Sequence, residues 1–313
     1  MEFVFSSFTF ADNILVQTLL AFPLLLSMVI SYRCLRVPDV TMDGSSVLAA
    51  SICIVFMRKM GVDMPVAILV AVAAGFLAGL ITGAMVVLLR INSLLAGILN
   101  AFILYSLSLL LINASLDFES GSTLFSWLKE QDLIFSQRLP NGLVIHPYVL
   151  SFLIILAVAL KISVDWFLRR EWGVVLRGAG SNELVLQLRG INTRKVRILG
   201  FGIANALVGF GGTLISMYDG SVQVMRWPGT IIFALSVAII GWEAARHLLR
   251  KFKISLTESS ALILGALMYY FIVRACYTFD VPTALPRLFI ALYILLVLAE
   301  KRDLWRRIRE LFC

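Results

Sequence analysis

The chain has 313 residues, of which 60% are hydrophobic, and its mean hydropathy of +0.93 excludes a soluble domain of this size. Several apolar runs approach the ~20 residues that a helix needs to cross a bilayer, so the sequence predicts an all-α polytopic transmembrane helical bundle. A net charge of +8 would suggest nucleic-acid binding in a soluble protein, but here the basic residues of cytoplasmic loops account for it.

Cysteine and histidine spacing gives no sign of a disulfide framework or a metal site. The four cysteines are scattered without a CxxC pair, and neither His146 nor His247 has a carboxylate or cysteine grouped around it in sequence. The phosphate-binding motif GxxxxGK[ST] is missing, as are GxSxG and HExxH. We therefore expect no metal, no cofactor and no enzymatic activity of the chain's own.

The first two spans differ in regularity. No basic residue precedes the first span, Ile14–Ile30, which predicts a retained helix rather than a cleaved signal peptide. The second apolar segment, residues 37–56, opens with Asp39 and Asp43, and it is a full span or a re-entrant one. Ionisable groups that enter a span usually face a cavity or the bundle interior, and broken spans recur at transport sites. Two interpretations of these aspartates stay open, namely helix caps near the headgroups or part of a substrate pathway.

The third span, residues 66–89, carries a stripe of small residues. Ala71, Gly75, Gly79 and Gly83 recur every four positions and so share one helix face. Such a face lets two helix backbones approach closely, which predicts tight packing rather than a binding site.

The fourth span, Ser93–Ile112, contains Asn100, Ser106 and Ser108 and follows Asn92, which predicts an interior helix because polar groups in lipid face protein or a wet cavity. The loop at 113–147 is longer than a connection needs, contains an amphipathic stretch, and is predicted to be external.

A basic stretch, Arg169–Thr213, follows the fifth span, Tyr148–Leu168. It has too many charges for the bilayer, which predicts an aqueous segment between two spans. Within it the sequence predicts a short amphipathic helix capped by Asn182 and ended by Gly190, either a contact element or an ordinary basic loop. The basic residues are Arg169, Arg170, Arg177, Arg189, Arg194, Lys195 and Arg197.

Four further spans are predicted, beginning near Ile198 and at Ile231–Trp242, Ser259–Phe279 and Ala284–Ala299, followed by a basic amphipathic tail at 300–313 on the inner leaflet. With these spans, basic residues on one side of the membrane outnumber those on the other by about four to one. This bias supports about nine spans, with an external N-terminus and a cytoplasmic C-terminus. The pair Arg58 and Lys59 lies on the wrong side of this bias. Residues 1–313 form a single transmembrane domain in this interpretation, with a cytoplasmic loop at 169–197.

Two motifs resemble permease subunits of bacterial ABC importers, in the branch for branched-chain amino acids and simple sugars. The first is LRGAGSNELVLQLRGIN, where the matching residues are Leu176, Arg177, Gly180, Asn182, Gly190, Ile191 and Asn192, and the small residues Ala206, Gly209 and Gly212 match in the following span. The second is PDVTMDGSS, where Asp39, Thr41, Asp43, Gly44 and Ser45 match. The similarity is strongest to a subfamily for aromatic amino acids or unassigned substrates. The sequence departs from the family at Arg226, Trp227 and Pro228, where relatives are rich in glycine.

The resemblance implies a multi-pass protein of the bacterial inner membrane that imports a small organic solute, for instance an amino acid. Its implied partners are cytoplasmic ABC ATPase subunits, an external substrate-binding protein that touches the 113–147 loop, membrane lipid, and a second permease chain in a homodimer. The coupling residues it implies are Arg177, Gly180, Asn182, Glu183, Arg189, Gly190 and Ile191.

Interior polar groups supply the candidate substrate pathway, which consists of Asp43, Ser45, Asn92, Asn100 and Asn205. For each of them a helix cap or an interhelical hydrogen bond is the alternative. For the whole chain the alternatives are a secondary carrier or channel that works without ATP, and a membrane scaffold that moves no solute.

Overall fold

The computed structural model is 85% helical, and its described residues form eleven α-helices and one two-stranded sheet. The chain divides into two compact units, residues 1–234 and residues 235–313. The structure describes residues 2–113, 115–119, 122–137, 146–226, 229–252 and 257–278, with the single positions 288, 291 and 292.

Nine helices and both strands belong to the first unit. The helices are α1 (Glu2–Met28), α2 (Thr41–Met60), α3 (Met64–Val87), α4 (Ser93–Ile112), α5 (Leu124–Gln137), α6 (Pro147–Arg169), α7 (Glu171–Ser181), α8 (Glu183–Leu188) and α9 (Thr193–Asp219). A π-helical turn, Val29–Cys34, continues α1, and the strands are β1 (Ser115–Asp117) and β2 (Ser221–Gln223). Helix α10 (Thr230–Phe252) begins in the first unit and continues into the second, which contains α11 (Glu258–Thr278).

Among the described residues, eight helical segments are long and apolar enough to cross a membrane, which confirms the predicted all-α polytopic bundle. They are Asn13–Cys34, Thr41–Met60, Met64–Val87, Ser93–Ile112, Pro147–Arg169, Thr193–Asp219, Thr230–Leu248 and Glu258–Cys276. The predicted ninth span at 284–299, apart from three single positions, and the tail at 300–313 lie outside the described residues.

Helix α1 is the most deeply buried candidate span. Leu24, Leu25 and Met28 are at most 1% exposed, and 83% of the most apolar window of this span is buried, against 22% for α6. Both spans have the same mean hydropathy of 2.2, so helix packing rather than apolarity decides which of them lies inside the bundle.

Helix α3 packs closely through its stripe of small residues, as the sequence predicts, and the helix that it meets there is α9. Gly75, Gly79 and Gly83 of α3 are all buried, and a Cβ atom added to Gly75 would lie 2.6 Å from the carbonyl oxygen of Asn205. At Gly79 an added Cβ would overlap the carbonyl oxygen of Phe201. The two backbones therefore touch, which only glycine permits at these positions.

At the end of the first unit where α4 and α9 finish, the chain forms a small sheet and a peripheral helix. Strand β1 pairs antiparallel with β2 in the register Ser115 to Gln223. The predicted amphipathic helix exists as α5, and it buries Phe125 and Leu128 against a cluster that includes Leu153 of α6. Residues 113–147 thus carry a helix that is anchored to the bundle.

Lys129 holds α5 to the end of α9. Its ammonium group donates a hydrogen bond to the carbonyl oxygen of Tyr218 and lies 3.9 Å from the centre of the Tyr218 ring. Burial lowers the pKa of the Lys129 ammonium, although the negative charge of Asp219 opposes the shift.

The basic pair that violates the charge bias has structural partners. The guanidinium of Arg58 donates to the carbonyl oxygen of Asp117 at 2.8 Å, and Lys59 Nζ donates to the carbonyl oxygen of Leu111 at 3.5 Å. Leu111 lies in the last turn of α4, where free carbonyl groups favour a cation. These two charges therefore satisfy backbone acceptors.

Helix α10 extends ten residues beyond the predicted end of its span at Trp242. Glu243, the first residue after the predicted span, does not end the helix. It forms an ion pair with Arg246 at 3.0 Å along the helix. Residues such as Ala, Leu, Arg and Lys, which follow here, favour helix. In the second unit, α10 and α11 meet closely, since a Cβ on Gly265 would lie 2.8 Å from the Cα of Gly241.

Candidate coupling surface and buried polar cluster

The basic stretch between the spans folds into two helices, α7 and α8, where the sequence predicts one. Asn182 separates them and caps α8, its Oδ1 accepting the N–H of Val185 at 3.4 Å, and Gly190 follows α8 with a φ of +74°. Both assignments confirm the prediction. Helix α7 went unpredicted because its glycines, including Gly173 and Gly178, weaken its helical pattern.

Glu183 joins α8 to the start of α9. Its Oε1 accepts a hydrogen bond from Thr193 Oγ1 at 2.7 Å, and its Oε2 lies 3.4 Å from Arg197 Nη1. Gln187 Nε2 also donates to Glu183 Oε1, at 3.2 Å. The carboxylate therefore fixes α8 on α9 through two donors of α9, while Gln187 holds it from within α8.

Arg177 and Gly180 fix α7 against other helices. The guanidinium of Arg177 donates to the carbonyl oxygen of Leu168 at 2.8 Å, close to the end of α6. At Gly180 an added Cβ would overlap the carbonyl oxygen of Cys34, so α7 touches the end of the π-helical turn. Two of the predicted coupling residues therefore position α7.

Helices α7 and α8 leave large apolar side chains in contact with solvent. The predicted apolar face of α8 points outward, with Leu184 69% and Leu188 88% exposed, whereas Leu186 is the side chain that packs inward at 8%. Arg189 and Gly190 are also exposed, and Ile191 is half-buried. We call the five exposed apolar side chains of the two helices the coupling surface, and they are Trp172, Val174, Leu184, Val185 and Leu188.

Inside the bundle, a buried polar cluster surrounds the start of α2. Asn205 of α9 donates from Nδ2 to Asp39 Oδ2 at 2.6 Å, and its Oδ1 accepts the hydroxyl of Ser45 at 2.7 Å. The other oxygen of Asp39 accepts the N–H of Thr41 at 3.0 Å. Asp39, Ser45 and Asn205 are each 0% exposed, so no bulk water competes for these bonds.

The same cluster continues onto α3 and α4. Thr41 and Thr82 share a hydroxyl hydrogen bond of 2.8 Å, and Asn100 Nδ2 donates to Thr82 Oγ1 at 2.7 Å and to the carbonyl oxygen of Ala78 at 2.9 Å. The Oδ1 of Asn100 has no hydrogen-bond partner among the residues that the structure describes. Four helices thus meet through six polar side chains, namely Asp39, Thr41, Ser45, Thr82, Asn100 and Asn205.

Asp43 lies one turn further along α2 and caps a different helix. Its Oδ2 accepts the N–H of Gly229 at 3.0 Å, and its Oδ1 accepts the N–H of Ile231 at 2.9 Å. These groups belong to the first turn of α10, where backbone N–H groups have no partner within the helix. The two aspartates therefore do cap helices, as one interpretation held, but Asp39 does so in the protein interior rather than near the headgroups.

The structure brings four of the five predicted pathway residues together, at or next to the polar cluster, and separates the fifth. Asn92 is exposed and caps α4, its Oδ1 accepting the N–H of Leu94 at 3.0 Å, so the prediction of an interior position is wrong. Ser106 is likewise exposed and bonds within its own helix. Thr41 and Thr82 were not among the predicted pathway residues, because a threonine hydroxyl in a span usually bonds its own helix backbone.

The described part of the chain contains no group of three or more possible metal ligands. Asp132 does lie near His146, with 3.6 Å between Oδ2 and Nδ1, although sequence spacing showed no such neighbour. The carboxylate of Asp132 is already occupied, since it accepts the N–H groups of Tyr148 and Val149 at 2.7 and 3.3 Å. It caps α6 and ties α5 to that helix.

The bundle of spans, the positioned helix pair and the buried polar cluster describe a membrane transport subunit. A model of the family "Branched-chain amino acid transport system / permease component" matches residues 10–298. The chain therefore belongs to this family, and it is a permease component of an ABC transport system for small solutes. It is a multi-pass protein of the inner membrane. The resemblance that the motifs suggest is confirmed.

Curated relatives cover most of the chain. It is 31% identical over 287 residues to the tyrosine transport system permease protein of Clostridioides difficile (strain R20291), which spans 92% of this chain and 90% of that protein. It is 32% identical over 263 residues to an uncharacterized protein of Rickettsia prowazekii (strain Madrid E), at 82% and 87% coverage. The ribose import permease protein RbsC of Escherichia coli (strain K12) is 24% identical over 211 residues, at 66% and 60% coverage.

Proposed function

We propose that this chain is the membrane-spanning subunit of an importer that carries an amino acid, and that its coupling surface receives a separate ATPase subunit. The observation that carries the proposal is the exposure of five large apolar side chains on two helices that are themselves rigidly held. Exposed apolar groups bordered by charged residues mark protein–protein contact sites. Arg177, Asn182 and Glu183 position these helices in this proposal, and Gly190 ends the segment.

Orientation supports the same assignment. The basic residues of 169–197 predict a cytoplasmic position for this segment under the charge bias of membrane proteins, where ATP is available. The chain's own sequence carries no phosphate-binding loop, so in this proposal a second protein hydrolyses the ATP.

Co-purification tests the docking site. The chain is co-expressed with the ATPase subunit of its transport system and purified in detergent through a tag on the permease. We expect Leu184→Asp with Leu188→Asp to lose the ATPase, because two charges would replace the apolar contact. Trp127→Asp, which alters another exposed apolar residue, on α5 and 54% exposed, is the control and retains the ATPase. Full ATPase recovery with the double variant would exclude this surface as the docking site.

The cargo proposal rests on the relative that is named for tyrosine transport. Uptake of radiolabelled tyrosine by cells that produce the permease, its ATPase and its binding protein is measured against an excess of unlabelled tyrosine, leucine or ribose. Competition by an amino acid supports the proposal, and competition by ribose alone would overturn it. Uptake that persists without the ATPase would instead support a secondary carrier.

The external partner in this proposal is a substrate-binding protein that contacts the 113–147 loop. A pocket of 230 Å³ opens between this loop and the α2–α3 turn, lined in part by Arg58, Asp63, Phe118 and Glu119. A second copy of the chain completes the permease in the same proposal, and the mass of the purified complex tests for two identical copies. Remaining apolar faces, including that of α6, would contact lipid.

A further inference from the structure

We propose that Asn205 is a positioning residue that transmits movement of α8 to the first turn of α10, through the start of α2. This inference rests on the proposed function, in which α8 contacts the ATPase. Four steps in series carry it, of which three are contacts between neighbouring helices and one is the stiffness of α9. All of them lie within the first unit.

The first contact joins α8 to α9. Glu183 receives hydrogen bonds from Thr193 and Gln187 and pairs with Arg197. Since Thr193 begins α9, a displacement of α8 pulls directly on the end of that helix.

The second step is the stiffness of α9 itself. Asn205 lies twelve residues beyond Thr193 on the same uninterrupted helix, which at about 1.5 Å per residue is roughly 18 Å along its axis. Backbone contact with Gly75 and Gly79 of α3 restricts movement of α9 perpendicular to its axis. The end of α9 and Asn205 therefore move as one body.

The third contact is the amide of Asn205, and both of its ends are engaged. Nδ2 donates to Asp39 and Oδ1 accepts from Ser45, so the amide holds α2 at a position just before its first residue, Thr41, and again one turn into the helix. Neither bond can be exchanged for water, because all three side chains are fully buried. Movement of α9 without α2 would break both bonds in the interior, which is costly. Asp39 would then keep only the Thr41 N–H, and Asn205 only the Phe201 carbonyl.

The fourth contact passes from α2 to α10. Asp43 accepts the N–H groups of Gly229 and Ile231, so the first turn of α10 obtains its cap from another helix rather than from its own sequence. Helix α10 therefore begins where α2 places it. The segment just before this turn, Val224–Arg226, follows β2 and includes Met225, which is 82% exposed.

The experiment measures whether nucleotide at the ATPase alters the surroundings of Met225. The permease–ATPase complex carries Met225→Cys in a background with its native cysteines replaced by alanine, and it is reconstituted in lipid nanodiscs. The rate of reaction with a water-soluble maleimide is compared with and without ATP plus vanadate. We expect the rate to change with nucleotide when Asn205 is present, and the change to be lost with Asn205→Leu.

Three further variants separate coupling from general packing. Ser45→Ala removes one of the two bonds and is expected to weaken the nucleotide response without unfolding the protein. Asp39→Asn combined with Asn205→Asp reverses donor and acceptor, and it is expected to restore a response that each single change abolishes. Thr213→Val is the matched control, since its buried hydroxyl donates to the Gly209 carbonyl of its own helix, and it keeps the full response.

The outcomes distinguish this inference from the proposed function. A nucleotide response in the Asn205→Leu and Ser45→Ala complexes equal to that of the parent would overturn the role of Asn205. A parent complex that holds the ATPase but shows no response would also overturn it. Co-purification is checked before any labelling. A permease that purifies without the ATPase would overturn the proposed function rather than the role of Asn205 alone. If Asn205→Leu does not fold, Ser45→Ala and the reversed pair decide the question.

Discussion

At the scale of single residues, helix ends in this protein are satisfied by short polar side chains, some of them distant in sequence. Asn92, Asn182 and Asn192 cap the helices that follow them directly. Asp43 and Asp132 instead cap helices that begin far along the chain. A distant cap contributes to tertiary structure as well as to the helix, because it fixes where two elements meet.

The cap on α6 gives a residue-level prediction. Asp132→Ala removes the acceptor of the Tyr148 and Val149 N–H groups and releases α5 from α6. We expect a loss of about 1–2 kcal/mol, the usual cost of an N-cap, seen as a lower melting temperature by tryptophan fluorescence in detergent. Glu130→Ala, on an exposed position of the same helix, is the control and leaves the melting temperature unchanged. Equal melting of the two variants would show that the cap contributes nothing.

At the scale of elements, the contact between α3 and α9 depends on glycines, which have no side chain to separate the two backbones. Every residue of the small stripe faces α9, so the two backbones touch there, and the side chains of Phe76 and Leu80 of α3 pack against Gly202 of α9 beside them. Such a contact is rigid, because a displacement brings main-chain atoms into collision. This rigidity is what lets α9 act as a single lever in the inference above.

Gly79→Ala tests the close approach directly. The new methyl group would overlap the carbonyl oxygen of Phe201, which is backbone and so cannot turn aside. We expect a destabilisation of about 1–3 kcal/mol, as for overpacked cores, and a fall in melting temperature. Ala73→Val adds more volume on the exposed face of the same helix and is expected to have no such effect. A neutral Gly79→Ala would mean that the helices are further apart than described.

At the scale of the whole molecule, the charge bias predicts which ends of the spans face the cytoplasm. The structure explains its main exception, since Arg58 and Lys59 bond backbone carbonyls and therefore have a reason to lie on the external side. The orientation itself stays a prediction.

Labelling in whole cells tests this orientation. Glu119→Cys and Leu188→Cys are produced separately in a cysteine-free background, and both positions are exposed in the structure. We expect a membrane-impermeant maleimide to label Glu119→Cys in intact spheroplasts and Leu188→Cys only after permeabilisation. The reverse pattern would place the coupling surface outside the cell and would exclude an ATPase there.

The sequence by itself determined the class of fold, most span positions, the helix that Asn182 begins and the face of α3 that packs tightly, although not its partner α9. These features follow from composition and from spacing within one element, since a run of about 20 apolar residues or a repeat of four is a local property. It also placed Asp39, Asp43, Asn100 and Asn205 among the polar groups of interest. It did not distinguish Asn92 from Asn100, which have similar apolar neighbours.

Only the tertiary structure decided what those polar groups bind. Asn100 meets Thr82 of α3, whereas Asn92, at the start of the same helix, is exposed and acts as its cap. Asn205 and Asp39 are 166 positions apart, and Asp43 is 186 positions from Gly229. A buried donor or acceptor must find a partner, but which partner it finds depends on helices crossing in space, and no periodicity within one helix records that crossing.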